Sequence, residues 1–160
     1  MVACSGRTPT AGSGTNAPPA AAKVAAGNAC DRKLLTTADV SGLLSATVDS
    51  VYTIPGDPES CKFSTAAFAW VEVTLRPGQG RVTVQTWNSG KMPLTAAPFS
   101  GVGNEAAWVN DLHEVVAEKN NVLCDIQLTG PAPALAQSPV AEQQQKIGAL
   151  CNKIFAGTAP

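Results

Sequence analysis

Ala69-Trp70-Val71-Glu72-Val73-Thr74-Leu75 leads through Arg76-Pro77-Gly78-Gln79-Gly80 into Arg81-Val82-Thr83-Val84-Gln85-Thr86-Trp87. The first segment alternates, with Val71, Val73 and Leu75 on one side and Trp70, Glu72 and Thr74 on the other. That two-residue period is the signature of a half-buried strand. In the third segment Val82 and Val84 alternate against Thr83 and Gln85, and the intervening Pro and Gly residues supply a turn. The stretch therefore predicts a β-hairpin.

Working outward, alternation returns at Leu112 to Glu118, reverses at Asn120-Asn121 and runs back through Val122 to Leu128, a second hairpin. Upstream, the β-branched residues from Thr47 to Ile54 predict a strand closed by Pro55-Gly56-Asp57-Pro58, and Cys61-Lys62-Phe63 opens the next. Asn88 to Ser100 reads as a loop, and Gly101-Val102-Gly103 as a tight turn feeding a strand. A short helix is expected over Thr37 to Ser45, with a hydroxyl N-cap at Thr36 or Thr37 and Leu35, Val40, Leu43 and Leu44 on one side. Ser138-Pro139 starts a C-terminal helix, with Glu142 in its first turn. The fold class is α+β: an antiparallel sheet of five or six strands, with a short N-terminal helix and a longer C-terminal helix packed on it.

The length of 160 residues fits one domain. Net charge is −1 and charged residues make up only 14%, so there is no basic field to gather phosphates, and nucleic acid is not an expected partner. No run of about eighteen apolar residues is present to span a bilayer.

Cys4, Cys30, Cys61, Cys124 and Cys151 form no CxxC pair, and with His113 the only histidine the zinc spacings are missing. Neither a metal nor a cofactor is expected. Four scattered cysteines read as two disulfides in an oxidising compartment. They allow three pairings, of which Cys124 with Cys151 is preferred. Cys124 shares a strand face with Val122 and Ile126, and Cys151 lies on a helical stripe with Val140, Ile147 and Ile154. That leaves Cys30 with Cys61. Cys4, in Met1-Val2-Ala3-Cys4-Ser5-Gly6, sits as in the end of a bacterial lipoprotein signal, and Arg7 to Asn28 is poor in residues that bury apolar surface. Residues 1–29 are thus expected to be a lipobox remnant and disordered tether with a lipid on Cys4, and residues 30–157 a single disulfide-stapled domain.

Chemistry-bearing residues are few. His113 is flanked by Asp111 and Glu114, but adjacent strand residues point to opposite faces, so His113 is expected on a face with Val115 and Ala117 as a structural or surface residue. Gly101-Val102-Gly103-Asn104 lacks the third glycine and the Lys-Ser/Thr of phosphate-binding loops. Asp49, Asp57 and Glu59 lack calcium-loop spacing and read as solvated. Trp70 and Trp87, with Trp108 and Phe99 beyond, offer an aromatic binding patch if the solvent face of the sheet carries the first two together, with Lys91 and Met92 at its rim. A helix or loop that covers that face and buries both rings is the preferred reading.

The order of Cys30, Leu35-Thr36-Thr37-Ala38-Asp39-Val40, Cys61-Lys62-Phe63 and Gly101-Val102-Gly103-Asn104-Glu105-Ala106 resembles small envelope lipoproteins of unknown function, best populated in actinobacteria. The resemblance implies a compact α+β lipoprotein and carries over no catalytic residue. The expected function is a non-enzymatic binding or interaction module of the cell envelope, exported, lipid-anchored and meeting a protein partner or small ligand. The alternatives are a periplasmic inhibitor or immunity protein against a toxic effector, and a hydrolase with a site near His113.

Overall fold

Strand β7, Val122–Thr129, is the spine of the molecule. A computed structural model describes residues 27–131 and 134–158; the expected lipid site at Cys4 and the tether up to residue 26 lie outside these. Seven strands form one antiparallel sheet, β1 (Ser50–Ile54), β2 (Asp57–Ser64), β3 (Trp70–Pro77), β4 (Ala96–Phe99), β5 (Glu105–Val109), β6 (Glu114–Lys119) and β7, in the order β1-β2-β3-β7-β6-β5-β4. The chain lays down β1 to β3 as one meander, crosses the outer face of the sheet, and returns from the far edge as β4 to β7. β7 closes against β3 from Trp70↔Thr129 to Pro77↔Val122. The Asn120-Asn121 turn, with φ 53° and 61°, takes the left-handed conformation that a two-residue hairpin requires.

The inner face carries the main core. Cys61, Phe63, Val71, Val73, Leu75, Val115, Ala117, Cys124 and Ile126 pack there beneath helices α1 (Thr37–Leu44) and α3 (Val140–Thr158). Helix α1 begins in a capping box: the Thr36 hydroxyl accepts from the Asp39 N–H, and the Asp39 carboxylate accepts from the Thr36 N–H at 2.8 Å. Lys153 of α3 reaches the same carboxylate at 2.6 Å and ties the two helices. Cys30 is bridged to Cys61 and Cys124 to Cys151, with Cα separations of 6.1 and 5.8 Å. The first bridge joins the N-terminal loop to β2 and the second joins β7 to α3.

The stretch from Arg81 to Trp87 is not a strand. Gly80–Asn88 forms helix α2, which carries the crossing from β3 to β4 and packs on the outer face of β4 to β7. Alternation of Val82 and Val84 misleads because only Val84 is buried, whereas Val82 is 70% exposed. The residues that turn toward the sheet are Gly80, Val84 and Trp87, spaced i, i+4 and i+7 as one helix face requires. Thr83 and Thr86 bond back to the carbonyls of Gln79 and Val82, accommodating residues with modest helix preference. A Cβ at Gly80 would stand 2.7 Å from the Val122 backbone, so glycine lets the helix start against the β6–β7 turn. There the Asn121 side chain accepts from the Arg81 N–H at 3.2 Å, replacing a side-chain cap. The expected five or six strands become seven, since Ala96–Phe99, within the supposed loop, pairs with β5. There are three α-helices among the described residues rather than two.

Candidate functional site

On the outer face, Val109, Val116 and Leu123 meet Val84 of α2, with Trp87, Leu94, Ala96 and Leu112 around them. The β1–β3 half of the same face carries a different set. Strand register aligns Ser50, Ser64, Trp70 and Thr129 in one row, and Tyr52, Lys62, Glu72, Gln127 and Glu114 in the next. A third row holds Ser60, Thr74 and Asp125. Among the described residues, the principal packing of α2 is with β4 to β7, and Tyr52 on β1 stays 45% exposed.

The open half is organised by charge. The Lys62 ammonium lies 4.5 Å over the Trp70 ring and 3.9 Å from Glu72, so the tryptophan is held as a flat, half-buried platform. Arg76 pairs with Asp57 at 2.8 Å and with Glu59 at 3.1 Å. The Ser60 hydroxyl donates to Asp57 at 2.8 Å and meets the Thr74 hydroxyl at 2.6 Å. Burial opposes ionisation of Asp57, but Ser60, the Glu59 N–H and Arg76 outweigh it and hold this carboxyl below its usual range. Asp57 and Glu59 are therefore paired rather than simply solvated.

At the inner margin of the open half, Glu114 and Asp125 stand diagonally across the β6–β7 pair and share a hydrogen bond. Burial, the Glu114 charge and hydrogen bond, and then Glu72 push the Asp125 carboxyl well up, with Arg76 opposing them. Burial also raises Glu114, helped by Glu72 and opposed by the bond from Asp125. Two carboxyls so coupled titrate as a unit and hold a proton where an isolated acid has lost it.

The rim carries one large apolar side chain: Phe68, at the tip of the β2–β3 hairpin, is 78% exposed with φ 59°. A left-handed aromatic residue is uncommon and costs about 1 kcal/mol or more of local strain. The tip is fixed in that form by Thr65 N–H to Ala69 O at 2.9 Å and Phe68 N–H to Thr65 O at 3.1 Å.

The sequence-derived aromatic patch is thus divided. Trp70 belongs to the open half, and Trp87 leaves the strand expected for it to pack from α2. Trp108 is 2% exposed in the main core, its indole N–H directed at Asn110 Oδ1 at 3.4 Å, and offers no surface to a ligand. Lys91 and Met92 follow α2, the first exposed and the second half-buried. His113 does not share a strand face with Val115 and Ala117: it caps the 3-10 turn Asn110–Leu112 with φ 47°. Its Nδ1 lies 2.7 Å from Gln143 Oε1, and Gln143 Nε2 donates to Ser138 O at 2.7 Å. Gln143 is 3% exposed, so this bond clamps the start of α3 to the start of β6.

Among the described residues, no group of three or more His, Cys, Asp or Glu side chains is arranged to hold a metal, and no helix is long and apolar enough to cross a membrane. The two disulfides are consistent with an oxidising, exported location. Comparison with protein-family models, with curated proteins and with solved structures returned no match.

Proposed function

We propose that this chain is a non-enzymatic binding module of the cell envelope, lipid-anchored through Cys4, which engages a protein partner on the open half of the sheet. The observation that carries this reading is the partial cover of the outer face: α2 packs on β4 to β7 while Tyr52, Lys62 and Trp70 remain reachable beside the exposed Phe68. Aromatic anchors among satisfied polar groups are the composition of protein interfaces. The resemblance to envelope lipoproteins and the two disulfides agree with the compartment.

The test is site-specific photocrosslinking in the native envelope, with the photoreactive residue at position 52 or, as control, at Val82 on the exposed side of α2. The expected result is one discrete adduct from position 52 that Phe68→Ala weakens, and none from position 82. Equal labelling from both positions, or none from position 52, would end the reading. Intact mass of the purified protein, showing or lacking acyl chains on Cys4, decides the anchor separately.

A further inference from the structure

The turn Gly101-Val102-Gly103 does more than connect β4 to β5. Asn152 of α3 donates through Nδ2 to Gly101 O at 2.8 Å and accepts the Gly103 N–H at 3.1 Å, latching the turn to the helix. Val102 is 6% exposed and packs on α3 at Gly148, where a Cβ would stand 2.5 Å from its methyl group. At Gly103, with φ 57°, a Cβ would lie 2.2 Å from Glu118 O, so that position is closed to any side chain. The turn is thereby a fixed wall, and between it and α3 runs a groove of about 350 Å³.

That groove has a particular chemistry. Phe99 contributes an apolar ring, Ser100 a hydroxyl, and Gln144 and Gln145 carboxamide groups, while the Asn152 carboxamide is engaged by the turn. Among the described residues, no ionisable side chain lines it. The nearby charges on α3 are paired with one another or turned elsewhere: Lys146 with Glu142 at 2.7 Å, and Lys153 with Asp39 of α1. Each carboxamide offers donors and an acceptor together, which matches the hydroxyl group, itself both donor and acceptor. An aromatic ring suits the C–H face of a pyranose. A volume near the lower end of small-molecule sites fits one or two sugar units. An anionic or cationic ligand would find no counter-charge here.

We propose that this groove is a binding site for an uncharged saccharide. It is separate from the open half of the sheet, so either assignment can fail alone. The test is a titration of the isotope-labelled full chain with cellobiose and with the N-acetylglucosamine disaccharide, followed by backbone amide chemical shifts. Saturable shifts are expected at Ser100, Gly101, Gln144 and Gln145 with at least one probe, and not at Tyr52 or Lys62. The double variant Gln144→Ala, Gln145→Ala keeps the helix, since alanine is the better helix former, and should weaken binding about tenfold by removing two hydrogen-bonding groups. An unchanged spectrum with both probes overturns the proposal, as do shifts confined elsewhere or equal affinity in a folded double variant.

Discussion

The two halves of the outer face are continuous pieces of one sheet, yet they obey different rules. Under α2 the strands present Val109, Val116 and Leu123 to Val84, and the edge strand β4 carries Pro98, which removes a backbone donor from that edge. On the other half the strands present Ser, Thr, Lys and Glu, and the edge strand β1, Ser50-Val51-Tyr52-Thr53-Ile54, has neither a charge nor a proline. One half is built to be closed by its own chain. The other is polar enough to face water, and Tyr52 on its edge strand and Phe68 at its hairpin tip are exposed.

The largest effect should come from a charge placed in the closed half. Val84→Asp puts a carboxylate where exposure is 0%, and should cost about 4 kcal/mol or detach α2 altogether. Tyr52→Asp, the same charge on the open half, should cost about 1 kcal/mol through strand preference alone. Urea titrations of the two variants make the comparison; equal losses would mean that the halves are not different in kind.

Each half is also stapled once, which gives a sharper test. The Cys30–Cys61 bridge spans 31 residues and the Cys124–Cys151 bridge 27, so chain entropy assigns each about 3.5 kcal/mol. Paired Cys→Ser variants should therefore lose similar stability in denaturant titrations. A much larger loss at Cys124 and Cys151 would show that docking of α3, rather than loop closure, is what that bridge secures.

How far this division was legible in the sequence depends on the range of the signal. The N-cap hydroxyl of α1 and the stripe of α3 are local patterns, and the preference for Cys124 with Cys151 followed from that stripe and the face that Cys124 shares with Val122 and Ile126. The Asn120-Asn121 turn fixes the register of β6 on β7, so the diagonal approach of Glu114 to Asp125 was computable from the hairpin. That Glu72 and Arg76 join them was not, because nothing local says that β3 pairs with β7 across forty-odd intervening positions. Helix α2 was misread since Val82, Thr83, Val84 and Thr86 favour strands intrinsically, and only burial of Gly80, Val84 and Trp87 against the sheet reverses that preference. Misplacing α2 hid which half of the face is covered, and with it the separation of Trp70 from Trp87.

A smaller effect tests the boundary between the halves. Burial, first, and the neighbouring Glu114 and Glu72 raise the Asp125 carboxyl above its unfolded value, against the pull of Arg76. The folded state then binds the extra proton more tightly than the unfolded chain, so this stabilising contribution is whole below about pH 4 and declines as pH rises through the folded value. Asp125→Asn should raise the thermal midpoint at pH 8, by about 3 °C for each kcal/mol recovered, and match the wild type near pH 4. A variant less stable than wild type at pH 8 would show that the ionised carboxylate is needed.

Asp39 on α1 provides the opposite sign and the smallest change. Burial works against its ionisation, but Lys153 and both the hydroxyl and N–H of Thr36 outweigh that and hold its carboxyl at about 2. Because the folded value is depressed, the contribution is present above the unfolded value near pH 4 and is lost as pH falls toward about 2. Asp39→Asn should cost about 1 kcal/mol at pH 7, the scale of a helix cap, and nothing measurable once the wild-type carboxyl is protonated. Chemical denaturation followed from pH 7 down to pH 2 should therefore show the two proteins converging at the acid end, whereas Asp125→Asn and wild type converge there from the other side, with the variant the more stable above. If Asp39→Asn shows a constant deficit at every pH, the carboxamide has disturbed the packing of α1 on α3, and the charge on Asp39 contributes nothing to that packing.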